Sequence, residues 1–177
     1  SDCTLVRLAV WLVKYTFIEA FHELAQGFVF SLRRLGYETD LYVQPGPPPP
    51  DTRWIIIGAH RFGTQEIPRY HLFRGTILFN TEQSTPEMVT LARSVDTTDC
   101  VWWDYSTKNV EIVRGLRGGP VVHCGLGFVP ELKRFTPRAD PTVDVLFYGS
   151  LSPRRALALA AIRERGCTIR TLSNRWG

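Results

Sequence analysis

An α/β fold built on a mainly parallel sheet, with helices on both faces, is what the sequence predicts. Three observations carry it. Apolar runs of strand length alternate with stretches of helical periodicity along most of the chain, the pattern of βαβ units. One of these runs, Arg53 to His60 (RWIIIGAH), is apolar from Trp54 to Ala59, as a strand buried on both faces requires. Glycine or proline stands where helices must end or begin.

Leu5 to Val13 (LVRLAVWLV) is the first strand run. Phe17, Phe21, Leu24, Phe28, Leu32 and Leu35 then recur at spacings of three and four, one face of an amphipathic helix. Gly36 follows, where a left-handed C′ residue is wanted. Glu38 to Gln44 reads as a second strand, completing a βαβ unit that is normally right-handed and parallel. Pro45 to Pro50 (PGPPPP) is read as a stiff, exposed polyproline II connector. After Arg53 to His60 come further strands at Gly75 to Asn80, Cys100 to Tyr105 and Pro120 to Cys124. Helices fall between them, from Thr85 to Val95 with Pro86 first, and from Asn109 to Leu116. Glu131 to Thr142 is polar and carries two prolines, the signature of a linker. A last strand, helix and strand follow, at Val143 to Tyr148, Pro153 to Arg165 and Cys167 to Leu172. The expected division is a first domain over 1–141. Residues 142–177 form either the start of a second domain or the completion of the first sheet.

The composition narrows the function. The chain has 177 residues, 44% hydrophobic and 21% charged, which excludes general disorder. Cys3, Cys100, Cys124 and Cys167 lie far apart, so no zinc module and no metal site is expected. They read as buried thiols of a reducing compartment, and the expected location is the cytoplasm. Ser1-Asp2-Cys3 lacks the charged n-region of a secretory signal. No apolar run approaches the roughly 20 residues of a membrane span. Lys plus Arg total 21 against 17 acidic residues, and the pI is about 9.0. The basic residues form no block, so nucleic acid is not an expected partner. Only Lys14, Lys108 and Lys133 are lysine. The excess of arginine suits phosphate and carboxylate, or reflects a GC-rich genome.

Several motifs stand at strand ends, where open parallel sheets bind ligands. Asp144 to Arg155 (DVLFYGSLSPRR) joins a strand to a helix through a Gly-Ser turn. Gly149, Ser150, Arg154 and Arg155 there are candidate phosphate ligands, since helix amides and a closely approaching glycine favour an anion. A plain turn with solvated arginines is the alternative. Asn80-Thr81-Glu82-Gln83 suits sugar hydroxyls or base catalysis, or is simply a helix N-cap region. Asn80 and Gln83 are candidate substrate ligands and Glu82 a candidate base. Asp104 and Tyr105, with Asn109 beyond, set carboxyl and amide groups beside aromatics, a combination suited to carbohydrate or nucleoside, or form an aromatic strand end that packs on a helix. Asp104 is a second candidate base. His60 and His123 each stand at a strand end as possible bases, or as structural histidines. Gly125-Leu126-Gly127 lacks the third glycine of a dinucleotide motif, and no GxSxG elbow is present.

In order, the NTEQ strand end, the WDYS strand end with its Asn, VVHCGLGFVP and DVLFYGSLSPRR together resemble bacterial glycosyltransferase-like proteins of the GT-B type, the group 1 or CgeB-like set. The similarity runs from about Ile55 to the end, and more loosely over the first βαβ unit. It implies a Rossmann-like acceptor-side domain over 1–141. It also implies that residues 142–177 open a truncated nucleotide-sugar-binding domain. The implied activity is transfer of a sugar from a nucleotide-activated donor to an acceptor, in a longer protein of which this chain is a fragment inactive alone. Glu82, Asp104 or His60 would activate the acceptor hydroxyl. Asn80, Gln83, Tyr105, Asn109 and His123 would line the substrate site, and Gly149, Ser150, Arg154 and Arg155 would face the diphosphate. No cofactor is implied beyond the donor itself. The partners would be nucleotide-sugar and acceptor, with either a homodimer or a missing C-terminal domain completing the cleft. The rival expectation is a non-catalytic Rossmann-like module that binds nucleotide, sugar or protein.

Overall fold

The computed structural model describes residues 6–13, 19–61, 75–95, 100–134, 136 and 139–173. Leu5, Phe17 and part of the expected linker lie outside them. The chain divides into two compact units, Ser1–Lys133 and Arg134–Gly177.

The first unit is a six-stranded sheet in which every pair is parallel. Its strands are β1 (Leu8–Val13), β2 (Thr39–Gln44), β3 (Arg53–Ile57), β4 (Ile77–Asn80), β5 (Val101–Asp104) and β6 (Val121–His123). The helices are α1 (Glu19–Arg34), α2 (Pro86–Ser94) and α3 (Thr107–Arg114). The spatial order is β2-β1-β3-β4-β5-β6. The sheet is doubly wound and Rossmann-like in the broad sense, with the strand order of the flavodoxin-like variant.

Burial explains the sheet. All six residues of β1 are buried, so the strand must be covered on both faces. Leu8, Val10 and Leu12 meet Ala25, Val29 and Leu32 of α1 on one face. Ala9, Trp11 and Val13 join Met88, Leu91 and Ala92 of α2 and Val113 of α3 on the other. Across the second face Trp11, Ile56, Leu78 and Trp102 stand in register on four neighbouring strands. Trp11 and Trp54 pack edge to face with centroids 5.8 Å apart, a favoured aromatic geometry.

The ends of the elements follow local chemistry. α1 closes in a Schellman motif, with Tyr37 N–H donating to the Leu32 carbonyl and Gly36 N–H to Arg33. Gly36 takes φ +89°, which a side chain would resist. Leu35 therefore falls past the helix and is exposed, not on the apolar face where its spacing puts it. α2 begins with Thr85 as N-cap, its hydroxyl accepting from Met88 N–H, and Pro86 first. α3 starts two residues before the expected Asn109, because Ser106 caps it and accepts from Asn109 N–H. His60 does not close β3; it sits in a 3₁₀ turn, Ala59–Arg61, just beyond. The proline connector is less solvated than expected. Pro48 is buried, and the Pro49 carbonyl accepts from Thr52 and from the Trp54 indole.

The second unit is a βαβ of β7 (Val145–Tyr148), α4 (Pro153–Glu164) and β8 (Ile169–Leu172). β7 and β8 pair in parallel with each other, in a two-stranded sheet of their own. The alternative in which they complete the first sheet is not realised.

Ile56 is fully buried at the centre of the larger sheet. Ile56→Ala is expected to cost about 2–5 kcal/mol, read as a lower urea midpoint with an unchanged m-value.

Candidate functional site

The register brings the polar strand ends together. Asn80 ends β4, Asp104 ends β5 and His123 ends β6, and the three stand side by side at the carboxyl edge of the sheet. Asp104 is fully buried. Its two oxygens accept four hydrogen bonds: from Asn80 Nδ2 at 2.8 Å, Trp102 Nε1 at 3.3 Å, Ser106 N at 2.9 Å and Asn109 Nδ2 at 3.2 Å. Every donor is uncharged. A carboxyl group enclosed in this way is a strut and does not reach an incoming hydroxyl, so its expected role as a base does not fit.

Asn80 and Asn109 are occupied in the same network. Both donate to the Glu82 carbonyl, at 2.8 and 2.9 Å, and Asn80 Oδ1 accepts from Glu82 N–H at 3.1 Å. They lie buried, so they hold the loop after β4 rather than present amides to a substrate. The product of that network is the position of Glu82. Its carboxyl group lies 3.2 Å from His60 Nε2, with the glutamate side chain 32% exposed and the histidine 9%. The acid therefore faces outward with the imidazole behind it. Glu87 stands close enough to feel His60. Its carboxyl is held below the ordinary range, first by its own backbone N–H and the Thr85 side chain, then weakly by the imidazole.

Tyr105 is half-buried beside this cluster. Burial raises its phenol above the usual value, and the nearby acids Asp104 and Glu82 push it the same way. His123 is exposed, with Nε2 3.1 Å from the Tyr105 carbonyl. Gln83 is exposed, and its carbonyl accepts from Thr85 N–H. Among the described residues no group of three or more His, Cys, Asp or Glu could hold a metal ion. No helix there is long and apolar enough to cross a membrane.

The expected phosphate residues lie in the second unit, in the turn between β7 and α4. Gly149 takes φ +137°, as the tight turn needs. Its N–H already donates to the Leu172 carbonyl. Arg155 turns back onto the Ser150 carbonyl at 2.7 Å, and Ser152 caps the helix by accepting from Arg155 N–H. Two of the four residues thus close the turn itself. Ser150 and Arg154 remain exposed.

One contributor escaped the sequence reading. Trp102 donates its indole N–H to Asp104, although the two residues share one face of β5 by the strand period of two. Thr81, between Asn80 and Glu82, has a buried hydroxyl with no hydrogen-bond partner. Comparison with protein-family models, curated proteins and solved structures finds no match.

Asp104→Ala should lower stability by at least about 1–3 kcal/mol, the cost of one buried donor left unsatisfied, in urea unfolding. In the second unit, Asp144 accepts from the Thr168 hydroxyl at 2.6 Å and its N–H at 2.7 Å. The hydroxyl first, then the N–H, holds the carboxyl below its ordinary value. A depressed folded-state pKa gives stability that is present above the unfolded value and lost as pH falls through the folded one. Thr168→Val should therefore raise the Asp144 midpoint in an NMR titration and move that loss of stability to higher pH.

Proposed function

We propose that the first unit is the acceptor-side half of a sugar-transfer enzyme of the GT-B type, with Glu82 as the base that takes the acceptor hydroxyl proton. The observation that carries this reading is the Glu82–His60 pair at the carboxyl edge of the sheet. An outward carboxyl group backed by a largely covered imidazole is a suitable proton acceptor for a hydroxyl. The imidazole orients it and can share the proton afterwards. The edge of a doubly wound sheet is also where ligands bind in this class of fold. Tyr105 lies close enough to Glu82 to feel its charge, His123 stands against the Tyr105 carbonyl, and both would contact the sugar ring and its hydroxyls.

The donor would be a nucleotide-activated sugar, with Ser150 and Arg154 of the second unit contributing to the diphosphate site in the longer protein. Charge-assisted hydrogen bonds from an arginine would stabilise the leaving diphosphate. The order of motifs along the chain implies the same reading, and of its three candidate bases, Glu82, Asp104 and His60, the partly exposed Glu82 beside His60 is the one favoured.

The test is sugar transfer by the longer protein against a panel of nucleotide-sugars. Glu82→Gln should lower kcat by about 10²–10⁴-fold, with KM and unfolding midpoint little changed. Arg154→Ala should weaken nucleoside diphosphate binding about ten-fold, equivalent to roughly 1.4 kcal/mol, by calorimetry. Turnover by Glu82→Gln at the wild-type rate would remove Glu82 from the chemistry. Nucleotide or sugar binding with no transfer in any combination would favour the non-catalytic module.

A further inference from the structure

Glu82 stands beyond Asn80, the last paired residue of β4, yet side chains engage both of its main-chain polar groups. Its N–H donates to Asn80 Oδ1 at 3.1 Å. Its carbonyl accepts from Asn80 Nδ2 at 2.8 Å and from Asn109 Nδ2 at 2.9 Å, which fills both lone pairs. Peptide planes are rigid. The N–H belongs to the plane before Glu82 and the carbonyl to the plane after it. Holding both fixes the two dihedrals between them, and with them the direction of the Cα–Cβ bond. The side chain that leaves along this bond reaches His60 Nε2 at 3.2 Å.

The two asparagines differ in what they hold. Asn80 lies two residues from Glu82 and closes a local turn, of the kind asparagine side chains favour. Asn109 lies 27 residues away, in the first turn of α3, and ties that local turn to a helix. Asn109 is itself fixed. It is buried, its N–H donates to the Ser106 hydroxyl at 3.4 Å, and its amide also donates to Asp104 Oδ1 at 3.2 Å. Neither acceptor needs Asn109 in order to be paired. The Glu82 carbonyl keeps Asn80, and Asp104 Oδ1 keeps the Ser106 N–H at 2.9 Å. A further donor on acceptors that are already paired adds geometry rather than relief of an unmet group.

We propose that Asn109 is a positioning residue that sets the Glu82 carboxyl group against His60, so that α3 holds the geometry of the candidate base. The consequence for turnover rests on the sugar-transfer reading; the placement of the carboxyl group does not. The experiment is an NMR pH titration of the His60 and His123 imidazoles in a double-mutant cycle of Asn109→Ala and Glu82→Gln. A carboxylate this close favours the imidazolium, so Glu82→Gln should lower the His60 midpoint by about one pH unit. In the Asn109→Ala background the same change should move it by less than half as much. Glu87 also lies within electrostatic reach of His60, and its effect, common to all four proteins, cancels in the cycle. The His123 midpoint should be the same with and without Asn109. Should Asn109→Ala not fold, Asn109→Ser, which keeps a hydroxyl for one of the two acceptors, is read in the same way. The proposal is overturned by a Glu82 effect that is absent in the wild type or undiminished in a folded Asn109 variant. An equal displacement of the His123 midpoint also overturns it, since that marks a general loss of the edge, and so does failure of both variants to fold. In the longer protein, Asn109→Ala should lower kcat for sugar transfer at least about ten-fold with KM little changed. An unchanged kcat where Glu82→Gln abolishes turnover would count against the proposal. Failure of the sugar-transfer reading shows separately, as turnover that Glu82→Gln does not lower.

Discussion

The carboxyl group of Asp104 is the constraint on which the carboxyl edge of the sheet depends. It is fully buried and takes four N–H donors from two strands, a helix cap and a helix side chain. A buried acid without a cation is tolerable only when its oxygens are satisfied in this way. The same donors, Asn80 and Asn109, grip the backbone of Glu82. The backbone of the outward acid is therefore held by the same amides that satisfy the inward one. Two carboxyl groups at neighbouring strand ends thus differ in burial, Asp104 enclosed and Glu82 partly exposed.

That difference explains how far the sequence could be read. The parallel α/β class was legible because the relevant signals are local: continuous apolar strands, a three-to-four spacing in α1, and Gly36 and Pro86 at helix ends. The convergence of His60, Asn80, Glu82, Asp104 and Asn109 was legible only as a set of strand ends. Which of them would be buried depends on register, and register is set by pairing across distant segments. Asn80 and Asp104 lie 24 residues apart yet adjoin in the sheet. Nothing in either local stretch separates the buried acid at 104 from the partly exposed one at 82. Leu35 shows the same limit in the helix: its spacing is apolar, but the chain reversal at Gly36 removes it from the core face.

The arginines of the second unit illustrate a different limit. Placed in the first turn of α4, they oppose the helix dipole, and an anion was the natural explanation. Part of the answer is internal, since Arg155 donates to the Ser150 carbonyl and so steadies the turn that precedes its own helix. A guanidinium can satisfy a backbone carbonyl as readily as a phosphate, and sequence alone carries no information about which it meets.

Leu159 is the one hydrophobic side chain of the second unit that is buried among the described residues. This bears on cooperativity. An all-or-none melting transition draws its sharpness from the enthalpy of a packed interior, and one aliphatic side chain supplies very little. The steep part of any thermal profile of this chain therefore belongs to the six-stranded sheet. A single unfolding free energy fitted to the whole chain would describe residues before 134 and be silent on β7, α4 and β8, whose amides would exchange through smaller local openings.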